Sequence, residues 1–233
     1  MINFLNLLFP RRCVSCGKLG SYFCKNCIPY LKTIQTTICP VCTKLSPFGF
    51  THPGCKTRYS LDGLTSIFRY TGPIQKGIKM IKYRRVTDLI PELSTLIITH
   101  LEYPSTSAYS SFLKTKPVIV PIPLHWLRQR RRGFNQSELI AKDLAKEWEL
   151  TICPDVLVRR KLTPSQAGLK KTERKMNIKS AFQVSPKKKE QLSTINNALL
   201  FDDVWTTGST MREAANALKR AGVKKVWALT IAR

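Results

Sequence analysis

Seven cysteines crowd into residues 13 to 55, in the pattern Cys13-x2-Cys16, Cys24-x2-Cys27, Cys39-x2-Cys42 and then His52-x2-Cys55. No other feature constrains the fold of this chain as tightly. An eighth cysteine, Cys153, stands alone beside Pro154. A disulfide framework belongs in a small secreted chain, whereas pairs separated by two residues form knuckles, in which a tight turn with free amides aims both sulfurs at one tetrahedral centre. Gly17, directly after Cys16, suits that turn. The simplest assignment is two closed zinc sites, Cys13, Cys16, Cys24 and Cys27 at one and Cys39, Cys42, His52 and Cys55 at the other. Interleaving the pairs, first with third and second with fourth, is the competing assignment. A lone histidine in a Pro/Gly loop is more often a solvated loop residue, and His52 rises above that only through its spacing to Cys55. Four protein ligands leave no position for a water, so both sites are expected to be structural.

Charge supports the metal reading. Residues 1 to 60 contain no Asp or Glu and eight Lys or Arg. Four thiolates around a dication leave about −2, and three thiolates with a neutral histidine about −1, so basic neighbours offset both clusters. A stretch this short and poor in aliphatic residues cannot bury a sufficient core unaided, and metal binding has to fold it. Ile2 to Phe9 is apolar, but Arg11 and Arg12 follow it instead of preceding it. It is therefore expected to be a mature cytoplasmic start, a short docking helix and not a secretion signal.

Over the whole chain of 233 residues, 39 Lys plus Arg stand against 14 Asp plus Glu, a formal charge of +25. Such a field attracts nucleic acid, phosphorylated metabolites or an anionic membrane surface. With 43% hydrophobic residues the chain is globular and not disordered. No run has membrane-spanning length, which leaves at most a peripheral membrane association.

The composition changes near residue 61, giving an expected zinc-ribbon module over 1–60 and a second domain over 61–233. Leu64 to Tyr70 reads as a strand, Thr71-Gly72-Pro73 as a turn, and Ile74, Ile78 and Ile81 as one face of a basic helix ending at Lys82-Tyr83-Arg84-Arg85. Leu89, Leu93, Leu96, Ile97 and Leu101 mark a second helix, and the Ser- and Tyr-rich residues 103 to 115 a solvated loop. Pro117 to Pro121 has the continuous apolar character of a buried parallel strand. Asn135 is a plausible helix cap, with Ile140, Ala141, Leu144, Ala145 and Trp148 on the buried face behind it. Strand and helix alternate, which implies α/β architecture with a parallel sheet.

Towards the C-terminus, Ala198 to Phe201 is a buried strand with Asp202 and Asp203 at its carboxyl end. The loop Thr206-Thr207-Gly208-Ser209-Thr210 follows, then a helix from Met211 to Ala221 stopped by Gly222, then a strand from Val226 to Ile231. A loop of glycine and small hydroxyl residues lets backbone amides converge on a phosphate at a helix N-terminus. The two carboxylates suit the vicinal hydroxyls of a ribose, with a divalent ion nearby. Ligands of open parallel sheets bind outside the carboxyl ends of the strands, where this loop lies. It is not a Walker loop, because no Gly-Lys-Ser/Thr is present.

This string resembles the ribose-5-phosphate signature of type I phosphoribosyltransferases, which bind phosphoribosyl pyrophosphate. The resemblance implies that Asp202 and Asp203 hold the ribose hydroxyls and Thr206, Thr207, Gly208, Ser209 and Thr210 the 5-phosphate. Val120-Pro121-Ile122-Pro123-Leu124-His125, the arginine-rich run to Gly133-Phe134-Asn135-Gln136-Ser137, and Thr163-Pro164-Ser165-Gln166-Ala167-Gly168-Leu169 with Arg174, Asn177, Ala181 and Phe182 resemble the ComF competence-protein family, also called the GntX type. That family joins an N-terminal zinc ribbon to a phosphoribosyltransferase-like domain in the same order, and the resemblance covers nearly the whole chain. His52 stands where the family leads one to expect a cysteine.

The resemblance implies a cytoplasmic role in natural transformation, handling incoming single-stranded DNA. Arg128, Arg130, Arg131 and Arg132 follow a sheet strand, where the enzymes bind pyrophosphate; with Trp126 they also suit single-stranded DNA, although a solvated helix start is an equal alternative. Residues 159 to 179, with eight basic residues and the single acid Glu173, match the position of a mobile lid in the enzymes and add Lys170 and Arg174 as anion contacts. Lys187-Lys188-Lys189 reads as a solvated turn. Three functions compete: a DNA-uptake accessory with a pocket for phosphoribosyl pyrophosphate or a nucleotide, an active Mg-dependent phosphoribosyltransferase, and a scaffold whose zinc module docks a helicase-like partner. No residue stands out as a general acid or as the determinant of a base, so the catalytic group is unassigned.

Overall fold

In the computed structural model, which describes residues 10–101, 107–161, 181–188, 190, 192 and 194–233, the apolar runs at 64–68, 118–121, 198–201 and 226–231 become strands. In chain order the strands are β1 (Gly63–Phe68), β2 (Val118–Pro121), β3 (Leu157–Arg159), β4 (Phe182–Val184), β5 (Asn197–Val204) and β6 (Lys225–Ala232). Four of them form one parallel sheet in the order β1-β6-β5-β2, with Thr65 beside Leu229, Leu199 beside Trp227 and Val118 beside Ala198. The remaining two, β3 and β4, make a separate antiparallel pair that the alternating pattern does not announce.

Both faces of the sheet are covered, which is why apolar residues on its strands point to both sides instead of alternating with polar ones. Leu199 and Phe201 join the core formed with α1 (Gly72–Arg84), α2 (Ile90–Leu101), α3 (Ser107–Leu113) and α5 (Gln136–Glu147). Their neighbours Ala198 and Leu200 join the opposite core, against β3, β4 and α6 (Ser209–Arg220). A short helix, α4 (Trp126–Arg132), links β2 to α5; the His125 side chain caps its start and the Asn135 side chain accepts from the Ser137 amide to start α5.

Three local expectations change. Thr71-Gly72-Pro73 is the opening of α1 and not a separate turn, with Thr71 extended at the cap and Pro73 at a position whose amide has no helical partner to lose. Residues 107 to 113 of the expected loop are helical, because Tyr109 and Phe112, three residues apart, both sink into the core beside Trp148 and Trp227. Finally, β5 runs on to Val204, so Asp202 and Asp203 lie inside the strand, Asp202 opposite Thr230 of β6. Ile2 to Phe9, the Thr163 to Leu169 motif, Asn177, Lys170 and Arg174 lie outside the described residues. So does Lys189, while Pro186–Lys188 form a short turn with Lys188 paired to Asp155.

The cysteine-rich segment folds as two copies of one knuckle. In the first, Arg12 bridges Leu19 and the Gly17 amide returns to the Cys13 carbonyl; in the second, Ile38 bridges Leu45 and the Thr43 amide returns to Cys39. Gly17 at φ 77° and Thr43 at φ 64° occupy the same left-handed position, which only the first copy fills with the residue best suited to it. Both copies are bound into the larger fold: Thr33 pairs with Phe68 at one end of β1 and Phe50 with Gly63 at the other. Tyr22, Phe23 and Leu31 belong to the same core as α1 and α2. Arg11 meets both Asp88 oxygens at 2.7 Å, and one Glu92 oxygen accepts from the Tyr22 and Phe23 amides. Among the described residues, no helix is long and apolar enough to cross a membrane.

Candidate functional site

Two donor sets come together as the uninterleaved assignment requires. Cys13, Cys16, Cys24 and Cys27 form one cluster and Cys39, Cys42, His52 and Cys55 the other, with all ligand atoms of a set within 4.8 Å of one another. Backbone amides aimed at the sulfurs favour thiolates: burial works against the Cys13 anion, yet amides of Cys16, Cys24 and Ser15 bring its pKa down to about 6. The His52 Nδ1 lies 3.4 Å from the Cys42 sulfur, while its Nε2 is 2.9 Å from the Leu45 carbonyl. That second contact fixes the tautomer in which Nδ1 carries the free lone pair, the arrangement that metal-binding histidines adopt. His52 is thus built as a ligand, and the donor chemistry of both clusters fits zinc. Cys153 is buried elsewhere, its thiol pushed up by burial.

A cavity of about 610 Å³ opens where the carboxyl ends of β1, β2 and β5 meet. Its lining mixes both charges: Asp202 and Asp203 from β5, Thr206 and Gly208 from the following loop and Thr210 from the start of α6, together with Arg128, Arg131 and Arg132 from α4, Arg85 from the end of α1, and Arg159 from β3. Of the four expected arginines on α4, Arg128, Arg131 and Arg132 line the cavity and Arg130, which is exposed, does not. Thr207 and Ser209 are held to each other, hydroxyl to hydroxyl at 2.9 Å.

The two acids are held differently. Asp203 is buried; its Oδ1 accepts from the Lys82 ammonium at 2.8 Å and its Oδ2 from the Gln136 amide at 2.7 Å. Burial works against the Lys82 cation, but the Asp203 carboxylate outweighs it and raises its pKa. Asp202 reaches the cavity while its Oδ1 accepts from the Ser137 hydroxyl and the Asp203 amide, both at 2.9 Å. Burial first, and the neighbouring Asp203 second, push its carboxyl up to about 7. Asp203 thus has a protein donor on each oxygen, whereas both donors to Asp202 fall on Oδ1, and acceptor capacity is left on both acids.

Burial lowers the pKa of Arg128 and Arg132, and brings Arg159 down to about 10 with help from Arg128. These cations share the cavity lining with Arg85 and Arg131, so the positive charge gathered there favours an anion. Lys82, Gln136, Ser137, Arg85 and Arg159 are absent from the expected site. The first three had signals of another kind, as the basic end of one helix and the cap of another, and only the fold brings those ends to β5. Arg159 falls at the head of the expected lid but sits in β3, stacked 5.4 Å over the Phe182 ring.

Fold and site together define a class: a double zinc ribbon built into a parallel α/β domain, with a cleft lined by arginines and two aspartates at the carboxyl ends of its strands. The family model for the double zinc ribbon domain matches residues 4–57. Competence protein F of Haemophilus influenzae is 29% identical over the whole of both chains. The DNA utilization protein YhgH of Salmonella typhimurium is 32% identical over 71% of this chain and 70% of its own, and competence protein ComFC of Bacillus subtilis is 28% identical over 85% and 78%. The chain belongs to the ComF competence-protein family that these relatives represent.

Proposed function

We propose that this protein takes part in the uptake or use of external DNA, as the names of its relatives describe for them, and that its cleft binds phosphoribosyl pyrophosphate or a nucleotide 5′-phosphate. One observation supports the ligand assignment: a single cavity is lined by a carboxylate pair, by small residues at a helix start and by several arginines. The pair suits a diol, the loop a monophosphate, and the arginines a second anionic group such as pyrophosphate with its Mg ion. Exposed aromatic groups flank the arginines: Tyr83 is 70% exposed and Trp126 59%. Stacking on such rings, at about 1–3 kcal/mol per base, combined with phosphate contacts, suits single-stranded DNA along the same rim. Arg85 donates to the Arg131 carbonyl and joins the two aromatic-bearing segments into one basic edge.

Isothermal titration separates the parts of this reading. Mg-phosphoribosyl pyrophosphate, adenosine 5′-phosphate and inorganic phosphate should all bind, and Asp202→Asn should weaken the two sugar-bearing ligands about tenfold or more while sparing phosphate, since a lost charged hydrogen bond costs about 1.5–3 kcal/mol. Equal weakening of all three, or none, refutes the diol assignment. For DNA, fluorescence anisotropy of a labelled oligonucleotide should weaken steeply with added salt, and Arg128→Ala with Arg131→Ala should flatten that slope. A salt-independent affinity refutes it. Incubating Mg-phosphoribosyl pyrophosphate with a panel of bases and assaying pyrophosphate distinguishes a transferase from a binding protein.

A further inference from the structure

Arg212, on the first turn of α6, spans two places that no functional reading so far connects. Its Nη2 donates to the carbonyl of Thr207 in the phosphate loop at 2.5 Å, and its Nη1 donates to the carbonyl of Pro40 at 2.8 Å. Pro40 and Val41 are the two residues between the ligands Cys39 and Cys42, and the Val41 carbonyl lies 3.4 Å from the same nitrogen. The guanidinium is largely buried, stacked 5.9 Å over Trp205, and burial lowers its pKa while the Cys39 charge opposes that. Trp205 in turn fills the space that a side chain at Gly208 would need.

We propose that the second metal centre holds the phosphate loop in its binding shape, with Arg212 as the positioning residue that carries the constraint. This rests on reading residues 206 to 210 as an anion site. A planar guanidinium donates from two nitrogens at a fixed angle, so both carbonyls must keep their places for both bonds to form. The carbonyls of Pro40 and Val41 keep theirs because Cys39 and Cys42 close on one ion. When the ion leaves, the knuckle loses the bond that fixes its turn, Arg212 loses its acceptors there, and Thr207 is released. Among the described residues the contacts of the first ribbon run instead to Asp88, Glu92 and the helical core. Coupling of this kind is reciprocal: an anion in the loop must tighten the second metal site by the same factor as that metal tightens the anion.

Hydrogen exchange read by mass spectrometry on the full chain, with zinc content measured in parallel, tests this. As a chelator removes zinc from the wild type, residues 205 to 211 should lose protection together with residues 39 to 55, and not with residues 13 to 27. In Arg212→Ala carrying both ions, the loop should already exchange about fivefold faster or more, the low end of ordinary coupling. In a second experiment, inorganic phosphate or Mg-phosphoribosyl pyrophosphate should slow loss of protection over 39 to 55 in the wild type, leave 13 to 27 unchanged, and have no such effect in Arg212→Ala or Arg212→Lys. Lysine keeps the charge without the two-nitrogen fork, so the conservative variant should fail to rescue and stands in if the alanine variant does not fold. A loop that stays protected in a zinc-replete Arg212 variant, or phosphate that protects both ribbons alike, overturns the proposal. If neither ligand binds, the functional assignment of the cleft falls, while the ligand-free comparison still decides the coupling.

Discussion

Removing Lys82 from the floor of the cleft tests the electrostatic reasoning most directly. Its ammonium and the Asp203 carboxylate meet at 2.8 Å with side chains 20% and 6% exposed, so neither is well served by water. At that separation and an effective dielectric near 20 the pair attracts by about 6 kcal/mol, most of which offsets the cost of burying both charges. Lys82→Met fills the same space without the charge and leaves Asp203 with the Gln136 amide alone, beside a second carboxyl. Breaking a buried pair in this way costs about 3–5 kcal/mol, which for a chain of this size corresponds to a fall in Tm of roughly 6–20 °C. Asp203→Asn should cost a similar amount. The double variant Lys82→Met with Asp203→Asn should be much more stable than the sum of the two, with a coupling energy of at least about 2 kcal/mol, because no isolated charge remains. Thermal melts in zinc-replete buffer at pH 8 supply all four corners. Single variants that each lose under about 1 kcal/mol, or a double variant equal to their sum, would show that the pair is solvated and that the cleft floor is not the low-dielectric site described here.

Asp202 gives a pH signature: a carboxyl raised from 3.8 to about 7 on folding contributes stability that is complete below about pH 4 and lost as pH rises through 7. Between pH 5 and pH 8 the wild type should therefore lose Tm relative to Asp202→Asn, and parallel curves for the two proteins would refute the assignment. At Gly208 an added Cβ would lie 2.1 Å from the Trp205 ring at φ +72°, whereas at Gly222, φ +110°, nothing lies within 4 Å. Both alanine variants carry left-handed strain of roughly 1–2 kcal/mol, but Gly208→Ala should also shift Trp205 fluorescence and lower Tm further; equal losses would show that Trp205 moves away freely.

What could be read without coordinates divides by the range of the contact. The Cys-x2-Cys pairs, the apolar runs and the Asn135 cap are local signals, and strand, helix and ligand set follow from them within a residue or two. The pairing of the knuckles is not local: the sequence leaves interleaving open, and the fold decides it by gathering each consecutive set of ligand atoms within 4.8 Å. Lys82, Gln136 and Arg159 were invisible for the opposite reason. They stand 121, 67 and 44 positions before Asp203, and only the β1-β6-β5-β2 order brings α1 and α5 to the same strand end. Residues 107 to 113 misled through composition: serines on the outer face mask two aromatic positions that decide the helix. The apolar run Ala198 to Phe201 ends at Asp202 and Asp203, so the pattern alone puts the acids at the end of the strand. They continue it because Lys82, Gln136 and Ser137 satisfy them inside the fold.

That same interlocking decides how the role of the zinc ribbons has to be tested. Deleting residues 1 to 60 looks like the direct experiment for a docking module. Yet the deletion would strip Tyr22, Phe23 and Leu31 from the main core, remove the strand-end partners of Phe68 and Gly63, and leave Glu92 and Asp88 without Arg11 and its neighbouring amides. It would also unfasten Arg212 from Pro40. Loss of DNA, nucleotide or partner binding in such a truncation would report a damaged sheet and cleft as readily as a lost surface. The ribbons do expose side chains that the core does not use: Tyr30 is 77% exposed and Leu45 70%. Tyr30→Ser and Leu45→Ser leave every contact named above in place, so a partner lost in them and retained in the wild type would be docking on the ribbons themselves.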